Sequence, residues 1–108
     1  TLKLPVIVVG RAGLGGINHA LLTVDALHRR KLPVVALLLN RTAPVRSAVM
    51  RLQERTTIEA VRRGAGVPVL GPLPYDAALA KSFRRSVARL TRTAAIATLT
   101  RLVKASVR

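Results

Sequence analysis

The sequence has no cysteine and no tryptophan, and its aromatic side chains are Tyr75 and Phe83 alone. Without cysteine there are no disulfides and no thiolate-ligated zinc or iron–sulfur sites; a reducing compartment fits this but is not required by it. With two aromatics, any core must be built from aliphatic side chains. The base-stacking platform of single-strand nucleic-acid modules is also missing. Acids are scarce: Asp25, Glu54, Glu59 and Asp76 face nineteen Lys and Arg. His19 and His28, nine positions apart, do not have metal-ligand spacing on one helix face, so no metal site is expected. No run reaches the roughly 18 apolar residues of a membrane-spanning helix, and no charged-then-apolar leader opens the chain. The first residue is Thr1 rather than Met, so the chain is expected to be processed, trimmed or part of something longer.

What is present is half hydrophobic, over 108 residues, which suits one small domain with a modest core. The formal net charge of +15 is extreme for a small-molecule enzyme. It points to a polyanionic partner such as RNA, DNA, an anionic membrane or an acidic protein. The plainer alternative is an arginine-rich solubilising surface of the kind GC-rich genomes encode.

Leu4–Val9 (LPVIVV) is a continuous apolar, β-branched run that reads as a strand buried on both faces. Ile17–Lys31 reads as a helix with Ile17, Leu21, Val24 and Leu27 on one face, ending in the cations Arg29, Arg30 and Lys31, which suit a helix C-terminus. Pro33–Leu39 reads as a second buried strand, followed by Asn40. Together these make a right-handed βαβ unit. Arg51–Arg63 reads as a second helix, Val67–Leu70 as a short third strand, and Gly71–Pro74 as a rigid turn. Ala77–Arg108 reads as largely helical, with Phe83, Val87, Leu90, Ala94 and Ala97 on a narrow stripe and a kink expected after Ala97. From Lys81 onward there are eight basic residues and no acid. This is either a solvated face on a final packing helix or a docking arm for an anionic partner. Arg85, Arg89, Arg92, Arg101, Lys104 and Arg108 are the candidate contacts.

Between the first strand and helix lies GRAGLGGINH, residues 10–19, with glycines at 10, 13, 15 and 16. A P-loop needs GxxxxGK followed by Ser or Thr, the lysine to neutralise phosphate and the hydroxyl to hold magnesium; neither is here. The dinucleotide pattern GxGxxG is not met, and Asn40 stands where an acid would end the second strand. Gly15 and Gly16 at a helix N-terminus would suit an anion such as a carboxylate, with Asn18 adding a side-chain amide. The alternative is a tight turn using glycine for positive φ angles.

The stretch VVGRAGLGGINHALLTVDALHRRKLPVVALLLN closely resembles the dethiobiotin synthetase family, in which a strand runs into a GLGxINHxLLT segment, then a helix, then a strand ending in Asn. GVPVLGPLPY, residues 66–75, is similar to that family's later strand and the proline-containing turn after it. The resemblance covers Leu4 to about Asp76. It implies a partial three-layer α/β/α P-loop-type fold: a short parallel sheet (strands about 4–9, 33–39 and 67–70) and a long basic C-terminal helix. Residues 1–76 would form the dethiobiotin synthetase-like C-terminal half, and 77–108 a basic helical segment of the same domain.

The family is an ATP- and magnesium-dependent homodimeric ligase that closes the ureido ring of dethiobiotin from diaminopelargonate and carbon dioxide. The resemblance implies that Gly15, Gly16, Ile17 and Asn18 reach across the dimer to the substrate's carboxylate tail. It implies that Asn40 reads the adenine edge, with Pro72 and Pro74 flanking the base. The family's N-terminal half, with its P-loop lysine and magnesium-holding acids, has no counterpart in these residues, so no catalytic residue is assigned. The chain is expected not to catalyse phosphoryl transfer alone, and the cut parallel sheet should leave a raw apolar edge. Two readings follow. In one, a homodimer mate or a P-loop half supplies the rest, with ATP and magnesium as cofactors. In the other, this is a non-catalytic relative without cofactors that docks by its basic surface to RNA or an acidic protein in a large assembly. The expected compartment is the cytoplasm or the mitochondrial matrix.

Overall fold

The computed structural model describes residues 4–107. Three strands, β1 (Val6–Arg11), β2 (Val34–Asn40) and β3 (Val69–Leu73), form a parallel sheet in the order β1-β2-β3. Helices α1 (Leu14–Arg29) and α2 (Ala48–Gly64) make the crossovers, and α3 (Phe83–Thr91) and α4 (Ala94–Ser106) complete the chain. The fold is the expected α/β class, with each strand lying one to three residues later than its apolar run suggested.

In-register neighbours sort the strand residues between two faces. Val8, Leu37, Leu39 and Val69 pack with Ile17, Ala20 and Val24 of α1 and with Ile58 and Val61 of α2. Ala36 and Leu38, buried on the opposite face, lie on the side of β2 where α4 crosses β2 and β3. Ile7 and Val9 pair with Ala36 and Leu38 and share that face. Yet Val9 is 65% exposed and Leu4 is open as well. The expectation that the first strand is buried on both faces is therefore corrected: one face of β1 is covered by α1 and the other is bare.

The two sheet edges differ. The Val6 amide donates to Pro33 and the Ala12 amide to Asn40, so by strand alternation the backbone groups of Ile7, Val9 and Arg11 point away from β2. On the far edge, Arg62 of α2 donates from Nε to the Val69 carbonyl at 3.2 Å and from Nη2 to the Gly71 carbonyl at 3.3 Å. β3 is closed off by a side chain in this way, a familiar guard on an exposed edge.

Two further expectations are corrected. Gly71, Pro72 and Leu73 continue β3 instead of turning: the register slips between Leu38 and Asn40, leaving an extra β3 residue at a bulge, where proline's missing donor is tolerated. Gly71 has φ +99°, and a Cβ there would stand 2.6 Å from the Leu39 carbonyl oxygen, so glycine is required. The C-terminal segment is two helices, not one long one, and the break is at Arg92–Thr93 rather than after Ala97. Thr93 caps α4 by accepting from the Ile96 amide at 3.4 Å. The residues of the apolar stripe differ in burial: Phe83 and Val87 are exposed and Leu90 is half-buried, while α3 fully buries Ser86.

Candidate functional site

Parallel α/β sheets place ligands at the carboxyl ends of their strands. Here that rim is formed by Arg11–Gly13, Asn40–Val45 and Leu73–Pro74. Asn40, half-buried, is the centre of it, in register with Arg11 on one side and Leu73 on the other. Its carbonyl accepts from Ala12 at 2.9 Å, and the next amide, Arg41, donates to Leu73 at 3.1 Å. The backbone of all three strand ends is thereby tied together.

The glycine segment behaves differently from the turn expected of it. Gly13 is the N-cap of α1 with φ −72° and no side-chain cap, so Gly15 and Gly16 lie inside the first helical turn. Positive φ is not what they supply. Gly16 is instead a close-approach residue: an added Cβ would meet Arg11 Cβ at 2.5 Å and the Arg11 carbonyl oxygen at 2.6 Å. Gly15 is exposed, and a Cβ there would meet nothing within 4 Å. Ile17 donates its amide to Gly13 at 2.9 Å and buries its side chain, so its part is structural. Asn18 is exposed beside the uncapped helix end. The first-turn amides preceding Ile17 have no intrahelical acceptor.

Next to Gly13 opens a cleft of ≈ 500 Å³ between the β1–α1 and β2–α2 connections, with Gln53, Glu54 and Thr57 of α2 on its far wall and Thr42 and Pro44 on the loop side. Across it Arg41 grips Glu54. Nε lies 3.1 Å from each carboxylate oxygen, and Nη2 lies 2.6 Å from Oε1. This hydrogen bonding raises the Arg41 pKa above its ordinary value, against a smaller opposing effect of burial. Reading the sequence did not single out Arg41, Gln53, Glu54 or Thr57. The available signal was that Glu54 is one of four acids in the chain.

The sequence-predicted residues are not brought into one pocket. Gly15 and Asn18 stand at the α1 end of the rim and Asn40 at its middle. Pro72 and Pro74 line a groove along the β3 edge with Arg62 and Thr93. Of the basic candidates, Arg85, Arg92, Arg101 and Lys104 are exposed on α3 and α4. Arg89 is engaged with Asp76 at 2.7 Å, Arg101 also donates to Thr98 at 3.2 Å, and Arg108 lies outside the described residues.

A magnesium–triphosphate group does not fit the residues present. No lysine occurs in the connections after β1 or β2. Glu54 and Asp76 are each held by an arginine, Asp25 pairs with Arg29 on the α1 surface, and Glu59 is exposed on α2. Among the described residues no three His, Asp or Glu side chains gather, and no helix is long and apolar enough to cross a membrane.

A family model described as AAA domain matches residues 1–82. Among curated proteins, the ATP-dependent dethiobiotin synthetase of Anaeromyxobacter dehalogenans (strain 2CP-C) is 63% identical over 43 residues, covering 40% of this chain and 19% of that protein. The enzyme of the same name from Thermodesulfovibrio yellowstonii is 40% identical over 72 residues, 67% of this chain and 29% of its own length. That from Novosphingobium aromaticivorans is 38% identical over 87 residues, 76% of this chain and 39% of its own length. The chain thus spans between about a fifth and two fifths of these relatives. No solved structure matches it.

Proposed function

We propose, from the premise that this chain belongs to the AAA domain family, that it is a dethiobiotin synthetase-like module carrying the carboxylate and adenine contacts of the ureido-ring-closing reaction but not its phosphate chemistry. The observation that carries this reading is the uncapped N-terminus of α1, whose Gly13 borders the cleft, with Gly15 open to solvent and Asn18 exposed one turn further on. Free first-turn amides and the positive end of the helix dipole favour a carboxylate, and an open Gly15 lets the ligand approach the backbone. Asn40 holds the strand end where an adenine edge would be read, and Pro72 and Pro74 offer an apolar rim to a base. The diaminopelargonate tail would lie at Gly15, Gly16 and Asn18.

The groups for ATP hydrolysis and magnesium belong on this reading to a P-loop half beside β1. The outward-facing backbone of Ile7, Val9 and Arg11 and the bare side chains of Ile7 and Val9 are the features another strand would cover. A second copy would pack where α1 and α2 expose Leu22, Val49 and Leu52, as expected of a homodimer mate. The chain alone is accordingly inactive.

The test is an amide-resolved NMR titration of the chain with diaminopelargonate and with its methyl ester. Shifts at Gly15, Gly16 and Asn18 with the free acid and none with the ester are expected. Equal response to both, or no response to either, rejects the carboxylate site. Asn40→Ala should weaken ATP binding in enzyme reconstituted with a P-loop half; unchanged affinity counts against the adenine assignment.

A further inference from the structure

Helix α3 buries a polar residue, Ser86, and leaves Phe83 and Val87 of its apolar stripe exposed, with Leu90 half-buried. An intramolecular packing helix presents its apolar stripe to the core, but α3 buries Ser86 completely and exposes Phe83 by 65% and Val87 by 37%. Phe83 and Val87 are one helical turn apart, on one face, and Leu79 just before the helix is exposed as well. The helix is fastened to the molecule by its polar side. Arg89 Nη2 donates to Asp76 Oδ2 at 2.7 Å, outside the helix, and to Ser86 Oγ within it at 3.3 Å. Asp76 Oδ1 accepts from the Ala78 amide at 2.9 Å, which pins the approach to the helix. The apolar side is therefore left over from folding.

Charge identifies what that side fits. Lys81, Arg84, Arg85 and Arg92 are all exposed on or beside α3; Arg84 borders the Phe83–Val87 face, and Arg85 and Arg92 lie across the helix from it. No acid follows Asp76 in the sequence, and Asp76 itself is taken up by Arg89. A nucleic-acid backbone would engage the cations and leave Phe83, Val87 and Leu79 in water. An anionic bilayer satisfies both sets at once: headgroup phosphates for the cations, and the acyl boundary for the apolar side chains. Arginine stems extend from the apolar level to the phosphates. No helix among the described residues is long and apolar enough to span a membrane, so the contact is peripheral.

We propose that the Phe83–Val87 face of α3, with the cations around it, docks the protein on anionic lipid surfaces. This stands independently of the ligase reading, since none of these residues belongs to the strand-end rim.

The experiment is flotation of the chain with vesicles of equal parts phosphatidylglycerol and phosphatidylcholine, and with phosphatidylcholine alone. Binding is expected only to the anionic vesicles, weakened about fivefold by Arg84→Gln and about tenfold by Phe83→Ser. Val87→Ser is the second apolar variant, and unchanged circular dichroism confirms that each variant is folded. Because the chain has no tryptophan, Phe83→Trp supplies a single reporter whose emission should shift to the blue on anionic vesicles. An unshifted emission from bound protein overturns the proposal. So does binding that survives both apolar substitutions, or binding to poly(U) as tight as to the vesicles. Each of those outcomes denotes a surface that reads charge alone.

Discussion

Arg41 and Glu54, thirteen positions apart in sequence, bind each other in a forked contact that ties the loop after the central strand to α2. The Glu54 side chain is only 14% exposed, so its partner cannot be replaced freely by water. Glu54→Ala should lower unfolding stability by about 1–2 kcal/mol, the range of a charge-assisted hydrogen bond discounted for partial solvent screening. Urea denaturation measures it. A midpoint equal to that of the parent chain would mean the loop is held by other means.

Two neighbouring glycines should respond in opposite directions. Gly16→Ala forces a methyl group against the Arg11 backbone and should cost roughly 1–3 kcal/mol, the range for overpacking. Gly15→Ala meets open space and should stabilise α1 by up to about 1 kcal/mol through helix propensity. On the proposed function, the same Gly15→Ala protein loses the carboxylate response despite its higher stability. Thermal melts and the NMR titration, run on both proteins, check the pair.

The Asp76 carboxyl is held below the usual carboxylate range, first by the Arg89 guanidinium and then by the Ser86 hydroxyl. A lowered folded-state pKa gives stability that is fully present above the unfolded value of about 3.9 and is lost as pH falls through the folded one. Asp76→Asn should therefore lower stability at neutral pH and flatten the acid limb of the stability curve. Amide exchange in α3 should rise in parallel. Identical acid limbs for the two proteins would show that Asp76 has no share in acid unfolding.

Arg62→Ala should leave the Val69 and Gly71 carbonyls facing solvent without a guanidinium across them. The expected loss of stability is modest, about 0.5–1.5 kcal/mol. The larger expected effect is concentration-dependent association through β3, read by light scattering. Scattering unchanged from the parent would mean that Pro72 guards this edge unaided.

Much of this architecture could be read in the residues. Of the α1 face expected at Ile17, Leu21, Val24 and Leu27, Ile17 and Val24 are buried and Leu21 and Leu27 half-buried against the core, because helical periodicity records which side meets a sheet. The strand LPVIVV misled for a related reason. An apolar run records that both faces are meant to be covered, but Val9 is bare because nothing among the described residues packs over it. β3 ran past its expected end because Pro72 sits at a bulge, where the missing donor costs little. The break at Thr93 was missed because a local cap, not the stripe, decides where α4 begins. At the site, the GLGGIN segment announced the helix end. The Arg41–Glu54 contact was hidden, because a pairing across a loop leaves no periodic trace.

The unequal edges of the sheet give the molecule a valence. With β3 sealed by Arg62, the sheet can grow in one direction only. On the proposed function that direction is taken by the P-loop half beside β1, and growth ends with it. An edge strand as apolar as β1 is ordinarily a route to fibres. Here a single guanidinium on the opposite side makes it a terminating one.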